Sequence, residues 1–189
     1  MAPPVILASA SAVRRRLLSE AGVAHLAVNS GVDEAPIKHQ CRAAGRSVTE
    51  TAHALAAAKA LAVSADQILA FDGRWYDKPA DRAEAARNLR ALGGRTHHLI
   101  SGVVVAENGG VAWRREDEVA MTMRPLSEAF VETYLDAVGA AALQSVGAYQ
   151  LEGLGAQLFE AVDGDFFTVL GLPLLPLLDY LRQRGALSA

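Results

Sequence analysis

Cysteine is nearly missing from this chain. Cys41 stands alone among 189 residues, which excludes an internal disulfide and a cysteine zinc cluster and agrees with a reducing, cytoplasmic setting. Aromatic residues amount to 6% and the net charge is −3. Neither a base-stacking stripe nor a broad basic field is present, so no nucleic-acid partner is expected. No apolar run reaches membrane-spanning length. Val169 to Leu178 is leucine-rich, but Pro173 and Pro176 interrupt it and it reads as buried core. No secretory leader is expected ahead of Val5. Internal repeats, low-complexity linkers, a Walker loop and a dinucleotide glycine fingerprint are all lacking. So is a nearby Ser–His–Asp arrangement. His97 and His98 adjoin on an expected strand, so they point to opposite faces and cannot share a metal as a pair.

Lysine is scarce too. Lys38, Lys59 and Lys78 are the lysines, and arginine supplies the rest of the 18 basic residues. A compact ammonium reaches a single phosphate oxygen, whereas a guanidinium prefers a planar fork. Each lysine is therefore a weak flag for phosphate work. With 51% hydrophobic and 21% charged residues, the chain is globular, and 189 residues suffice for one domain with a sizeable core.

The pattern alternates strands and helices, with hairpins between. A strand over Val5–Ala8 leads into a helix from about Ala12 to Glu20 that stops near Gly22. Val23–Val28 reads as a strand, and Ser30–Arg46 as a polar, irregular stretch. Ser47-Val48-Thr49-Glu50 is a capping box, opening a helix that continues to about Val63. Gln67–Phe71 is a strand entered through Asp66. Asp72-Gly73 is a two-residue hairpin signal. A third helix starts at Asp81 and Glu84 and ends at Gly93-Gly94. Long strands follow over Thr96–Ala106 and Val111–Met123, then a helix from Ser127 to about Val138. Short strands are expected at Val146–Tyr149, Leu158–Val162 and Phe167–Leu170. Pro173–Arg184 closes the chain as a helix, its prolines tolerated in the first turn. The expected class is α/β, with a mixed, curved sheet and flanking helices.

Chemistry concentrates at a few points. Ser9 and Ser11 lie at a strand–helix junction followed by Arg14-Arg15-Arg16. Backbone N–H groups at a helix N-terminus, with added cationic charge, suit a phosphate chain. A solvated basic patch on an ordinary amphipathic helix explains the arginines equally well. Asp66, at the expected mouth of a strand, has the chemistry of a magnesium ligand or a base that activates water. It also has that of a turn aspartate capping backbone N–H groups. Asp33 and Glu34 together offer oxygen ligands or a plain acidic loop. Lys59 sits in an alanine-rich stretch, free to snorkel outward or to reach a phosphate. Lys78, rigidly placed before Pro79, aims an ammonium or guards a sheet edge.

The order of these motifs along the chain is more specific than any one of them. LASASAVRRRLL at 7–18, VDE at 32–34, LAAAKA at 55–60, SADQ at 64–67, DKPAD at 77–81, GAYQLEGLG at 147–155 and GDFFTVLGLPL at 164–174 closely resemble the Maf family over nearly the whole chain. The resemblance implies a nucleoside triphosphate pyrophosphatase, cutting between the α- and β-phosphates. It implies two lobes around a cleft, related to the inosine-triphosphate pyrophosphatases. It further implies a magnesium or manganese ion, with Glu34 and Asp66 as acidic ligands. Asp66 matches the residue usually assigned as base, and whether it acts as base or as ligand stays open. Ser9, Ser11, Arg14, Lys59 and Lys78 match phosphate-binding positions.

Three positions depart from the commonest family pattern. Val13 stands directly before Arg14, Gln67 replaces the threonine after the aspartate, and Glu152 replaces a glutamine. The set resembles the branch that prefers 7-methyl-GTP, although Val13 is smaller than that branch's usual tryptophan. A carboxylate at Glu152 accepts hydrogen bonds from the N1–H and N2 edge of guanine and attracts the positive charge of an N7-methylated base. The missing tryptophan removes a stacking platform. The alternatives are a dTTP and UTP pyrophosphatase, and a nucleotide-binding regulator of septum formation without turnover. A homodimer is compatible with the apolar surface, and no stretch demonstrates one.

Overall fold

The computed structural model describes residues 5–28, 34–47, 50, 63–107 and 110–188. In chain order these form β1 (Val5–Ala8), α1 (Ala12–Glu20), β2 (His25–Val28), α2 (Glu34–Ala43), β3 (Val63–Phe71), β4 (Arg74–Tyr76), α3 (Arg82–Leu92), β5 (Thr96–Glu107), β6 (Gly110–Met123) and α4 (Glu128–Val138). After three short 3₁₀ turns come β7 (Phe159–Asp163), α5 (Phe166–Val169) and α6 (Leu174–Gln183). Among the described residues seven strands form one sheet in the order β2-β1-β3-β5-β6-β7, with β4 on β3. β1 runs parallel to β2 and to β3, whereas β3–β4 and β6–β7 are antiparallel. The sheet is mixed and helices flank it, as expected.

The chain divides into two compact units. The first comprises Met1–Gln67, Ile100–Asp117 and Asp165–Ala189, and the second Ile68–Leu99 and Glu118–Gly164. In the first unit Leu17 and Leu18 of α1, Leu174, Leu177 and Leu181 of α6, and Leu7, Val63, Ala65, Val103 and Val105 of the sheet form one buried cluster. Each fully buried leucine contributes on the order of 1.5–3 kcal/mol relative to exposure. In the second unit α3 buries Ala85, Ala86, Leu89 and Leu92, and α4 buries Val131, Tyr134 and Leu135.

The caps lie where the sequence marks them. Asp81 accepts from the Glu84 N–H, and Ser127 from the Phe130 N–H. Ser47 and Glu50 bond reciprocally, with Ser47 N to Glu50 Oε2 at 2.8 Å and Glu50 N to Ser47 Oγ at 3.1 Å. The Ser47 N–H and Oγ–H, the latter at 3.0 Å, both donate to the exposed Glu50 carboxylate and hold it below its ordinary pKa. The helix expected to follow them falls at 51–62, outside the described residues. Asp72 and Gly73 both take positive φ, 51° and 70°, the pairing that a tight hairpin with the twist of its strands requires.

Four expectations are corrected. The irregular stretch contains α2, because Pro36 falls in the first turn, where its missing N–H costs no helix bond. β3 starts at Val63 rather than at Gln67. The expected strand at Val146–Tyr149 is a 3₁₀ turn over Val146–Ala148. Gly147 and Ala148 have φ of 79° and 65° there, outside the extended region. The expected strand at Phe167–Leu170 is α5, started by Asp165, whose carboxylate accepts from the Thr168 N–H at 2.8 Å.

Candidate functional site

The junction after β1 is a closely bonded corner. Ser9 is buried and Ser11 half-buried. Ser11 is the N-cap of α1, with φ −63° and ψ 118°. Its Oγ accepts from the Arg14 N–H at 3.4 Å, and Ser9 Oγ accepts from the Ser11 N–H at 3.2 Å. Arg14 turns its guanidinium inward. Nε donates to the Gly171 carbonyl at 2.8 Å, and Nη1 to the Ala65 carbonyl at 2.7 Å and to Ser9 Oγ at 3.4 Å. A cation in the first turn of a helix opposes the macrodipole, and these carbonyls compensate for it. Gly171 has φ 85°, and a Cβ there would come within 3.1 Å of Arg14 Nη2. Arg14 thus ties together the turn after β1, β3 and the α5–α6 connection. Arg15 and Arg16 are exposed, with Arg16 about one helical turn from Glu20 at 4.0 Å. Val13 is half-buried and packs against the core cluster of the first unit.

Asp66 lies within β3 and is only 7% exposed. It is therefore not the exposed strand end that the sequence implies. The apolar signal at Ile68-Leu69 drew the boundary too late, because Ser64 and Ala65 are themselves fully buried. Ser64 and Asp66 share one face of the strand by alternation, and Gln67 takes the other. Gln67 Nε2 donates to Ser101 Oγ at 3.1 Å, the Thr168 carbonyl at 3.0 Å and the Val169 carbonyl at 2.9 Å. Ser101 Oγ also donates to the Thr168 carbonyl at 2.9 Å. The sequence reading overlooked Ser101. Its signal was a buried hydroxyl in the apolar run Leu99-Ile100-Ser101-Gly102-Val103.

In the second unit Lys78 is exposed after β4, and Pro79 beside it is buried. Glu152 is exposed in the loop between the second and third 3₁₀ turns. Below Glu152 that loop is densely tied. A Cβ on Gly147 would lie 2.6 Å from Tyr149 Cε1 and 2.7 Å from Leu69 Cδ1, and one on Gly155 would lie 2.7 Å from Gln150 N. Glycine is required at both. Glu34 is the first residue of α2, but its side chain lies outside the described residues, as does Lys59. The structure accordingly brings together Ser9, Ser11 and Arg14, sets Asp66 and Gln67 side by side on β3, and places Lys78 and Glu152 in the other unit.

This sequence of elements and motifs is matched by known proteins. The family model for Maf-like proteins covers residues 4–184. The chain belongs to the Maf family. It is 48% identical to a 7-methyl-GTP pyrophosphatase of Rhizobium meliloti (strain 1021) over the whole of both chains. It is 49% identical to a nucleoside triphosphate pyrophosphatase of Rhodospirillum rubrum, over 99% of this chain and 98% of that one. A 7-methyl-GTP pyrophosphatase of Rhizobium etli is 44% identical over both full lengths. As a Maf protein the chain carries the serine corner, the β3 aspartate and the glutamate loop in the order in which the sequence first presented them. No helix among the described residues is long and apolar enough to cross a membrane.

Proposed function

We propose that this Maf protein is a nucleoside triphosphate pyrophosphatase that hydrolyses the α–β phosphate bond of 7-methyl-GTP or a similarly modified nucleotide. The full-length, 48% identity to a 7-methyl-GTP pyrophosphatase carries this reading, and Gln67 and Glu152 support it. Water opens the α–β anhydride, leaving a nucleoside monophosphate and pyrophosphate. Asp66 either accepts the water's proton or holds a cation. Ser9, Ser11, Arg14, Lys59 and Lys78 are the donors assigned to the phosphate chain, with Arg14 acting mainly through the corner it braces. Glu152 accepts from the guanine edge and opposes the charge of the methylated base, and Val13 is a further residue assigned to the substrate.

A magnesium or manganese ion suits the donor set. Asp66, buried on β3, offers a hard carboxylate oxygen. Magnesium is commonly held in just this way, by one or two carboxylates together with substrate phosphates and water. Asp66 would hold it, with Glu34 as second ligand. Once bound, the ion supplies neutralisation of charge on the triphosphate.

The test is a competition assay with the purified protein. kcat/KM for 7-methyl-GTP should exceed that for dTTP and UTP. Faster cleavage of dTTP or UTP would assign the protein to the other substrate branch. Tight nucleotide binding without turnover would favour the regulator reading.

A further inference from the structure

A buried histidine is hydrogen-bonded to the loop Ser145–Gly155. His97, on β5, is fully buried, and its Nε2 lies 2.6 Å from Tyr149 Oη. Tyr149 is only 4% exposed. Its ring meets Phe159 edge-on at 4.8 Å, and the His97 ring lies 6.0 Å from Phe159. The backbone around Tyr149 is fastened on both sides. Ser145 Oγ donates to the Tyr149 carbonyl, and Tyr134 Oη donates to the Ala148 carbonyl at 3.3 Å. Ala148, held at φ 65°, is a non-glycine residue in the left-handed region, a conformation that persists only where its surroundings enforce it. Glu152 follows three residues after Tyr149, and the Gly153 N–H donates to the Gln150 carbonyl at 3.2 Å.

We propose that the His97–Tyr149 pair is a positioning device that sets the loop bearing Glu152, and thereby base selectivity. The inference rests on the reading that Glu152 selects the base. His97 is a positioning residue: it acts through Tyr149 on the loop and does not touch substrate. The hydrogen bond and the ring packing fix Tyr149, Tyr149 fixes the turn at Gly147–Ala148, and the turn sets where Glu152 leaves the loop.

The test uses the full chain and compares Tyr149→Phe and His97→Phe with Glu152→Gln. Both phenylalanine variants keep a ring and delete the hydrogen bond. For each protein, kcat and KM are measured with 7-methyl-GTP and with UTP, beside the melting temperature. A net hydrogen bond corresponds to about a two- to tenfold change in an equilibrium. The preference for 7-methyl-GTP should therefore fall by about that factor in a folded phenylalanine variant, mainly through KM, with kcat on UTP nearly unchanged. An unchanged preference and KM in a folded variant, whatever its melting temperature, would overturn the positioning role. Failure of both variants to fold would overturn it as well, because the pair would then serve the core. If Glu152→Gln leaves the preference untouched, the base-selection reading itself fails. If Glu152→Gln shifts the preference and the phenylalanine variants do not, only the positioning role fails.

Discussion

Asp66 is the residue to which the proposed mechanism gives the central role. Asp66→Asn keeps size and polarity but removes the charge that a base or a cation ligand needs. Loss of a positioned base costs on the order of 10²–10⁴-fold in rate, so kcat should drop by at least the lower figure. The fold should survive, since asparagine is isosteric, and circular dichroism checks that. A folded Asp66→Asn protein with near-normal turnover would remove Asp66 from the mechanism. Lys78 gives a contrasting case. It is exposed, so Lys78→Ala should weaken triphosphate turnover with little change in melting temperature. Full activity in that variant would reduce the lysine to a surface charge. His97 supplies a pH signature. Burial, followed by the neighbouring His98 charge, pushes its pKa down from 6.5 to about 4. The unfolded chain thus binds a proton that the folded chain refuses between those values. The stability from a neutral His97 is complete above pH 6.5 and is lost as pH falls towards 4, at about 1.4 kcal/mol per pH unit. Urea midpoints at pH 7 and pH 5 should diverge more for the native protein than for His97→Phe. Equal slopes would show that His97 is not buried in neutral form.

At the scale of elements, the loop after α4 is the sharpest case. Gly147 has φ 79°, and Tyr149 and Leu69 fill the space where a Cβ would stand. Gly147→Ala should destabilise the protein by about 1–3 kcal/mol, the cost of left-handed strain, with the clash adding to it. An unchanged unfolding midpoint would contradict the tight turn. The same loop shows where a sequence is hard to read. Val146 to Tyr149 carries β-forming residues, but the packing of Tyr149 under Gly147 decides its conformation, and that contact is tertiary. α5 was missed for the opposite reason: Phe167–Leu170 looks like a strand by propensity, and a local cap, Asp165, overrides it. Helices with explicit caps at Asp81 and Ser127 were legible because the signal is local. The role of Arg14 was not, since the carbonyls of Ala65 and Gly171 that it binds lie 51 and 157 residues away in sequence. Gln67 was singled out as a departure from the family pattern, yet its partners on β5 and α5 could not be named from sequence. Charge pairing between α3 and α4 was equally invisible. Arg82 reaches Glu132 and Asp136, and Arg90 reaches Glu128 and Glu132. These pairs are substantially exposed, and each adds little stability.

For the whole molecule, the order of motifs carried more information than any single one. No one of the serine corner, the β3 aspartate, the Lys78-Pro79 step or the glutamate loop identifies an enzyme alone. Their common register over residues 7–174 does, and the family model over residues 4–184 makes the chain a Maf protein. The central claim is that this protein splits the α–β bond of a nucleoside triphosphate. The direct measurement is product analysis after incubating the purified protein with 7-methyl-GTP and magnesium, with phosphate, pyrophosphate and nucleotide separated and quantified. The account predicts equimolar 7-methyl-GMP and pyrophosphate. Orthophosphate with 7-methyl-GDP as the direct products would contradict it.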